Sequence, residues 1–193
     1  MLCDDHAVTT GQRQERAIRT REQILDGAVA ALVEFGYAGL TMARVQQAAG
    51  VSRGALTHHF GSMTEIAVAA IDHVADIQGA EIEQAIADGP LVDAVDVIHE
   101  ITRRPTYIAG LQLWVAARTE PQLRDALRPG ARRLSHQLRG VLAARVGDLS
   151  DERLDVFVDG LLSLLRGLAI GGVLRDRPDR EKAVLTEWLT AFS

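Results

Sequence analysis

From Thr41 to Ser62 the chain reads TMARVQQAAGVSRGALTHHFGS. Thr41 suits an N-cap, because its hydroxyl oxygen can accept from an amide that the first helical turn leaves unpaired. The following MARVQQAA turns Val45 and Ala48 or Ala49 inward at helical spacing. Gly50 ends it by taking a left-handed conformation that a side chain would strain. Ser52 then caps a second short helix running through Phe60, and Gly61-Ser62 opens a longer one. Two short helices about a glycine turn, with Val51 as plug and small Ala49 permitting a close crossing, have the anatomy of a helix-turn-helix.

Upstream, Ile24, Ala28, Leu32 and Phe35 share one helical face, with Thr20 as a start signal and Gly36 as a stop. Downstream, the long helix reaches about Ala87, where Asp88-Gly89-Pro90 breaks it. Further breaks at Arg104-Pro105, Glu120-Pro121, Pro129-Gly130, Gly147 to Ser150 and Arg177-Pro178 divide the remainder into helices of ordinary length. β-branched runs and Asn-Gly hairpin signals are nearly absent. The expected fold is all-α with about nine helices. No repeat or long linker separates the halves, so the expected division is a flexible N-terminal arm at 1–16, a three-helix domain at 17–63 and a larger helical body at 64–193.

The 193 residues are 47% apolar and 24% charged, which supplies a core and excludes disorder as the default. A single cysteine, Cys3, excludes a disulfide-stapled secreted domain. The start, MLCDDHAV, has no basic n-region, and no run approaches the roughly 18 apolar residues of a spanning helix. A cytoplasmic protein with no membrane partner is expected. The net charge is −5, yet residues 12–62 hold six Arg against four acids, while residues 63–193 hold 15 basic and 20 acidic side chains. An Arg ladder at 13, 16, 19 and 21 is what contact with phosphates needs, although a solvated helix start has the same composition.

Thr41, Val45, Ala49, Gly50, Val51, Ser52, Gly54, Leu56, His59, Phe60 and Ser62 form one gap-free pattern. It resembles the N-terminal motif of the tetracycline-repressor (TetR) family, and Ile24, Ala28, Phe35, Gly36 and Leu40 fit that family's first helix. The resemblance covers about residues 20–74. It departs at Thr57, where Tyr is usual, at Met63, where Lys is usual, and at Gln46, where Ala is common. The resemblance implies that the helix after Ser52 enters a DNA major groove. Arg53, Gly54, Thr57 and His58 would face the bases, with Arg53 able to grip guanine O6 and N7. Thr41, Arg44, Ser52 and His59 would bond phosphates. Arg19, with Arg13 and Arg16, would follow the backbone or enter a flanking minor groove, unless the last two belong to a solvated tail.

In the C-terminal body, the helix around Leu154–Val173 sorts into three faces. Leu154, Phe157, Leu161, Leu165 and Leu168 form a core stripe. Gly160, Gly167 and Gly171 with Leu164 form a face that lets another helix approach, and Asp159 and Arg166 lie on a third. The resemblance implies that this helix and Glu181–Phe192, carrying Val184, Leu185, Trp188 and Leu189, build a four-helix homodimer bundle. The alternative is that the glycines pack within one chain. A twofold dimer predicts a palindromic operator in double-stranded DNA. A ligand-released repressor also needs a pocket, for which Ile98, Ile101, Tyr107, Leu111, Trp114 and Phe157 are candidate liners, each also readable as plain core. Few fixed charges in that set favour an apolar or weakly polar effector, whose binding would shift the dimer between two spacings of the recognition helices.

Other chemistry finds little support. His58 and His59 point about 100° apart on a helix, and no Cys or acid completes a ligand set, so neither metal nor cofactor is expected. Ser135 and His136 are helix neighbours that cannot pair as nucleophile and base, and Asp93, Asp96 and Glu100 read as a solvated face. The expected function is a homodimeric DNA-binding transcriptional regulator, a repressor, without enzymatic activity. The rivals are a helical enzyme acting on a small apolar substrate in the C-terminal body, and a DNA-binding dimer without a small-molecule effector.

Overall fold

The computed structural model describes residues 5–85, 90–147, 149–175 and 177–191. Cys3, Ala87, Asp88, Gly89 and Phe192 lie outside the described residues. Among the described residues there are nine helices and no strand: α1 Asp5–Gly39, α2 Met42–Ala49, α3 Arg53–His59, α4 Met63–Ala85, α5 Leu91–Thr102, α6 Pro105–Ala116, α7 Pro121–Ala143, α8 Asp151–Arg175 and α9 Pro178–Thr190. They divide into two compact units, Met1–His73 and Val74–Ser193.

In the N-terminal unit, α1 begins at Asp5 and not at Thr20. Thr20 lies inside the helix, its hydroxyl donating to the Arg16 carbonyl at 2.9 Å, so it bonds backward along the helix instead of capping it. The helix therefore runs through most of the stretch expected as an arm. Gly36 does interrupt it, at φ 67° and ψ 175°. Ile24, Leu25, Ala28, Ala31 and Leu32 of α1 are buried with Val45, Leu56 and Phe60, and the first turns of α4 add Ile66, Ala67 and Ala70. Burying each large side chain of this set contributes about 1.5–3 kcal/mol. Those α4 residues carry the unit to His73, past the expected boundary at 63, and His73 Nε2 lies 3.3 Å from Asp26 Oδ1.

Two expectations fail here for tertiary reasons. Phe35 is exposed, with the Arg44 guanidinium stacked 4.1 Å from its ring centroid, so it supports a cation instead of filling the core. The close crossing at Ala49 is made with α1: a Cβ built on Gly27 would stand 2.5 Å from the Ala49 amide nitrogen.

The C-terminal unit is organised around α8. Leu154, Phe157, Val158, Leu161, Leu162 and Leu165 are buried against Val95, Ile98 and Ile101 of α5, Leu138 and Leu142 of α7, and Leu185 and Leu189 of α9. By length and mean hydropathy α8 could cross a membrane, contrary to the expectation from apolar runs. Asp159, Ser163 and Arg166 interrupt its apolar run without lowering its mean hydropathy far, and here it packs as the central helix of the unit. Pro129 lies inside α7 and does not end it. Both Pro129 and Asp125, whose carbonyl loses its helical partner, are exposed, so the break falls on the solvent side of the helix.

Polar contacts fasten the neighbouring helices. Buried Glu181 of α9 accepts from Arg103 Nη1 at 2.7 Å and lies 3.1 Å from Nε2 of buried His99. Arg104 grips the Glu81 carboxylate with both Nη atoms, at 2.7 and 2.5 Å, and holds its carboxyl below the usual range.

Candidate nucleic-acid interface

The two short helices are built by local hydrogen bonds. Thr41 Oγ1 accepts from the Arg44 amide at 3.3 Å and Ser52 Oγ from the Ala55 amide at 3.1 Å, so both expected caps form. Gly50 between them has φ 65° and ψ 26°, the left-handed conformation the turn requires. Leu56 and Phe60 anchor α3 in the core. Beyond it, Ser62 Oγ accepts from the Glu65 amide at 3.1 Å, while Glu65 Oε2 accepts from the Gly61 amide at 2.8 Å. This reciprocal pairing fixes the start of α4 close behind α3.

The outer face of α3 is open. Arg53, Gly54, Thr57 and His58 are all exposed, and His59 is half-buried. The Thr57 hydroxyl donates to the Arg53 and Gly54 carbonyls at 3.1 and 3.2 Å, which leaves its methyl and oxygen lone pairs for a partner. A Cβ on Gly54 would meet only Ser52 Oγ at 3.9 Å, so its bare backbone is space left for what approaches from outside. His58 and His59 sit edge to face, with centroids 5.5 Å apart. Thr41 and Ser52 are exposed beside this face, and Arg19 is exposed on α1. Arg44 is placed differently from a free phosphate ligand: its guanidinium bonds the Gly39 carbonyl and lies on Phe35, bracing the end of α1 against α2.

The other expected site residues scatter. Ile98, Ile101 and Phe157 are core, and Tyr107 and Leu111 are half-buried on α6. Burial pushes the Tyr107 phenol up while neighbouring Arg166 draws it down, and the same guanidinium lies 4.4 Å from the Trp114 ring centroid. Trp114 borders a cleft of about 290 Å³ between α6 and α7. A second cleft of about 550 Å³ opens between α7 and α8, with Asp159 on its rim. The arginines that shape both clefts were missed, although Arg124, Arg128 and Arg132 recur at helical spacing along α7.

Within the proposed interface set, Gly160 faces its own chain: a Cβ there would lie 3.0 Å from Trp188 Cζ2. Trp188 also packs on Phe157 at 5.2 Å between centroids, and Leu185 is buried. Leu164 is half-buried, whereas Gly167 and Gly171 meet nothing within 4 Å. Ile170, Val173 and Leu174 beside those two glycines are exposed, as is Val156 about three turns earlier on the same helix.

Residues 24–70 match the bacterial regulatory proteins of the tetR family, and residues 92–192 match the C-terminal domain of BetI-type transcriptional repressors. The chain is 31% identical over 178 residues to the transcriptional regulator BetI of Burkholderia mallei, covering 88% of this chain and 89% of the relative. It is 29% identical over 170 residues to the transcriptional repressor AcnR of Corynebacterium efficiens, covering 88% and 86%. A solved TetR-family regulator from Rhodococcus sp. superposes with a TM-score of 0.77 at 18% identity, covering 90% of this chain and 97% of that one, a likeness of fold. With its two capped short helices, its left-handed Gly50 and both regions matched, the chain belongs to the TetR family of DNA-binding transcriptional regulators.

Proposed function

We propose that the protein is a cytosolic repressor that binds a palindromic operator as a homodimer and releases it when a small molecule enters the C-terminal unit. The carrying observation is α3: a helix capped by Ser52, anchored by Leu56 and Phe60, that leaves Arg53, Gly54, Thr57 and His58 facing outward. Arg53 has no side-chain partner among the described residues, so its planar fork is available to a guanine edge. In this reading the exposed Thr41, Ser52 and Arg19 and the half-buried His59 bond the phosphates that flank the groove.

The exposed apolar ridge of α8 supports the dimer. Val156, Ile170, Val173 and Leu174, with Gly167 and Gly171 open among them, make a surface that a second copy would cover and that water covers poorly. Clefts on α6 and α7 supply room for an effector. Selection from a random pool of double-stranded DNA tests the whole reading. Recovery of a two-fold symmetric site, bound by a species of dimer mass in sedimentation, is the expected result. Failure to enrich any duplex at low ionic strength would remove the proposal.

A further inference from the structure

We propose that the cleft between α6 and α7 binds amphipathic monocarboxylates, an apolar body lying on its floor and the carboxylate on its rim. As an effector site the assignment rests on the repressor reading above; as a binding site it stands on the cleft itself. The floor is Trp114, Ala117 and Leu127. Trp114 is 39% exposed there, with the Arg166 guanidinium 4.4 Å from its ring centroid. A tryptophan ring partly exposed in a concave, otherwise apolar surface suits a flat or branched hydrocarbon.

The rim has one sign of charge. Arg118, Arg124 and Arg128 line the cleft, and no acid lines it with them. Arg118 and Arg124 have no carboxylate partner among the described residues. Arg128 pairs with Asp125 at 2.9 Å in an i, i+3 contact whose two sides are 59% and 63% exposed, an interaction weak enough to be exchanged for a better one. Three guanidinium groups around an apolar floor repel one another and oppose a cationic guest. An anion relieves both costs, and a carboxylate matches the guanidinium fork with two parallel hydrogen bonds. The volume, about 290 Å³, is just under the roughly 300–1,000 Å³ range of small-molecule sites, which fits one substituted ring or a short branched chain.

The experiment uses the full-length protein with Trp188→Phe, so that Trp114 is the remaining one of the two tryptophans and its fluorescence reports the cleft. The probes are 4-tert-butylbenzoate, the isosteric 4-tert-butylbenzamide and 4-tert-butylbenzylammonium. Calorimetry on the unsubstituted protein reads the same affinities if Trp188→Phe fails to fold. Saturable binding of the benzoate is expected, about tenfold or more tighter than the amide, with no binding of the ammonium. Arg124→Gln with Arg128→Gln should weaken the benzoate about tenfold or more and leave amide binding unchanged, which a merely unfolded cleft would not do. Equal affinity for the three probes, absence of saturation at millimolar benzoate, or indifference to the double variant each overturns the proposal. So does a loss of self-association in the double variant without benzoate binding, since the rim would then be a protein contact. Operator release by benzoate is measured separately: binding without release upholds the site and refutes its effector role.

Discussion

Gly27→Ala should destabilise the N-terminal unit although alanine is the better helix former. At an interior helical position the exchange favours folding by about 1 kcal/mol. The new Cβ, however, would stand 2.5 Å from the Ala49 nitrogen, 2.6 Å from its Cβ and 2.7 Å from its Cα. Ordinary carbon contacts lie at about 3.5–4.0 Å, so α1 and α2 must part by roughly 1 Å. Overpacking costs about 1–3 kcal/mol when side chains can yield, and here two of the three opposing atoms are backbone, which puts the cost at the upper end or beyond. The expected net is a loss of about 2 kcal/mol or more, read by urea denaturation with circular dichroism. Because Ala49 ends α2 one residue before the Gly50 turn, operator affinity should fall as well. Adding Ala49→Gly removes one of the three clashes and should restore stability only in part. A stabilised Gly27→Ala protein, or complete rescue by the double substitution, would refute the argument.

Arg53→Ala should weaken operator binding by about 1–3 kcal/mol and relax one base preference, visible in competitive gel-shift titration; unchanged affinity would remove Arg53 as a base reader. Met63→Lys should tighten binding and steepen the dependence of log K on log salt by about 0.9, and an unaltered slope would mean that no phosphate lies near the start of α4. Glu81 offers a pH test. Arg104 holds its folded carboxyl below the usual range, so the folded state binds fewer protons there than the unfolded chain. The stabilisation is therefore complete above the unfolded value of about 4.3 and lost as pH falls through the lower folded value. Melting curves of wild type and Glu81→Gln should differ at pH 7 and converge in acid, whereas a constant difference would contradict the pairing.

What was legible in the sequence was what hydrogen bonds within one turn decide. Thr41, Gly50 and Ser52 each act on the next three or four residues, and each adopts the role its chemistry suggests. Gly36 and Gly147 interrupt the chain for the same local reason, with φ of 67° and 68°. Roles set by a partner distant in sequence were hidden. Phe35 has the spacing of a core residue until Arg44 lies on it, and Gly160 has the look of an external contact until Trp188 of the same chain fills the space beside it. Thr20 and Pro129 show the limit of boundary signals: a threonine can bond back along a helix it does not start, and an exposed proline can sit in a helix that continues around it. The arginines of α7 carried a periodic signal, but a row of cations on a helix is ordinarily a solvated surface; the apolar floor contributed by α6 makes it a cleft.

Pro129 leaves α7 with a missing rung. It sits between Arg128 and Ala131, the two residues that border both clefts, so the ladder is interrupted where their walls meet. A rod cut part-way through bends at the notch, and the halves of α7 on either side can tilt with little resistance from the backbone. Amide exchange along α7 should therefore be fastest around this joint, and a guest that wedges one cleft wider can narrow the other without unwinding either half.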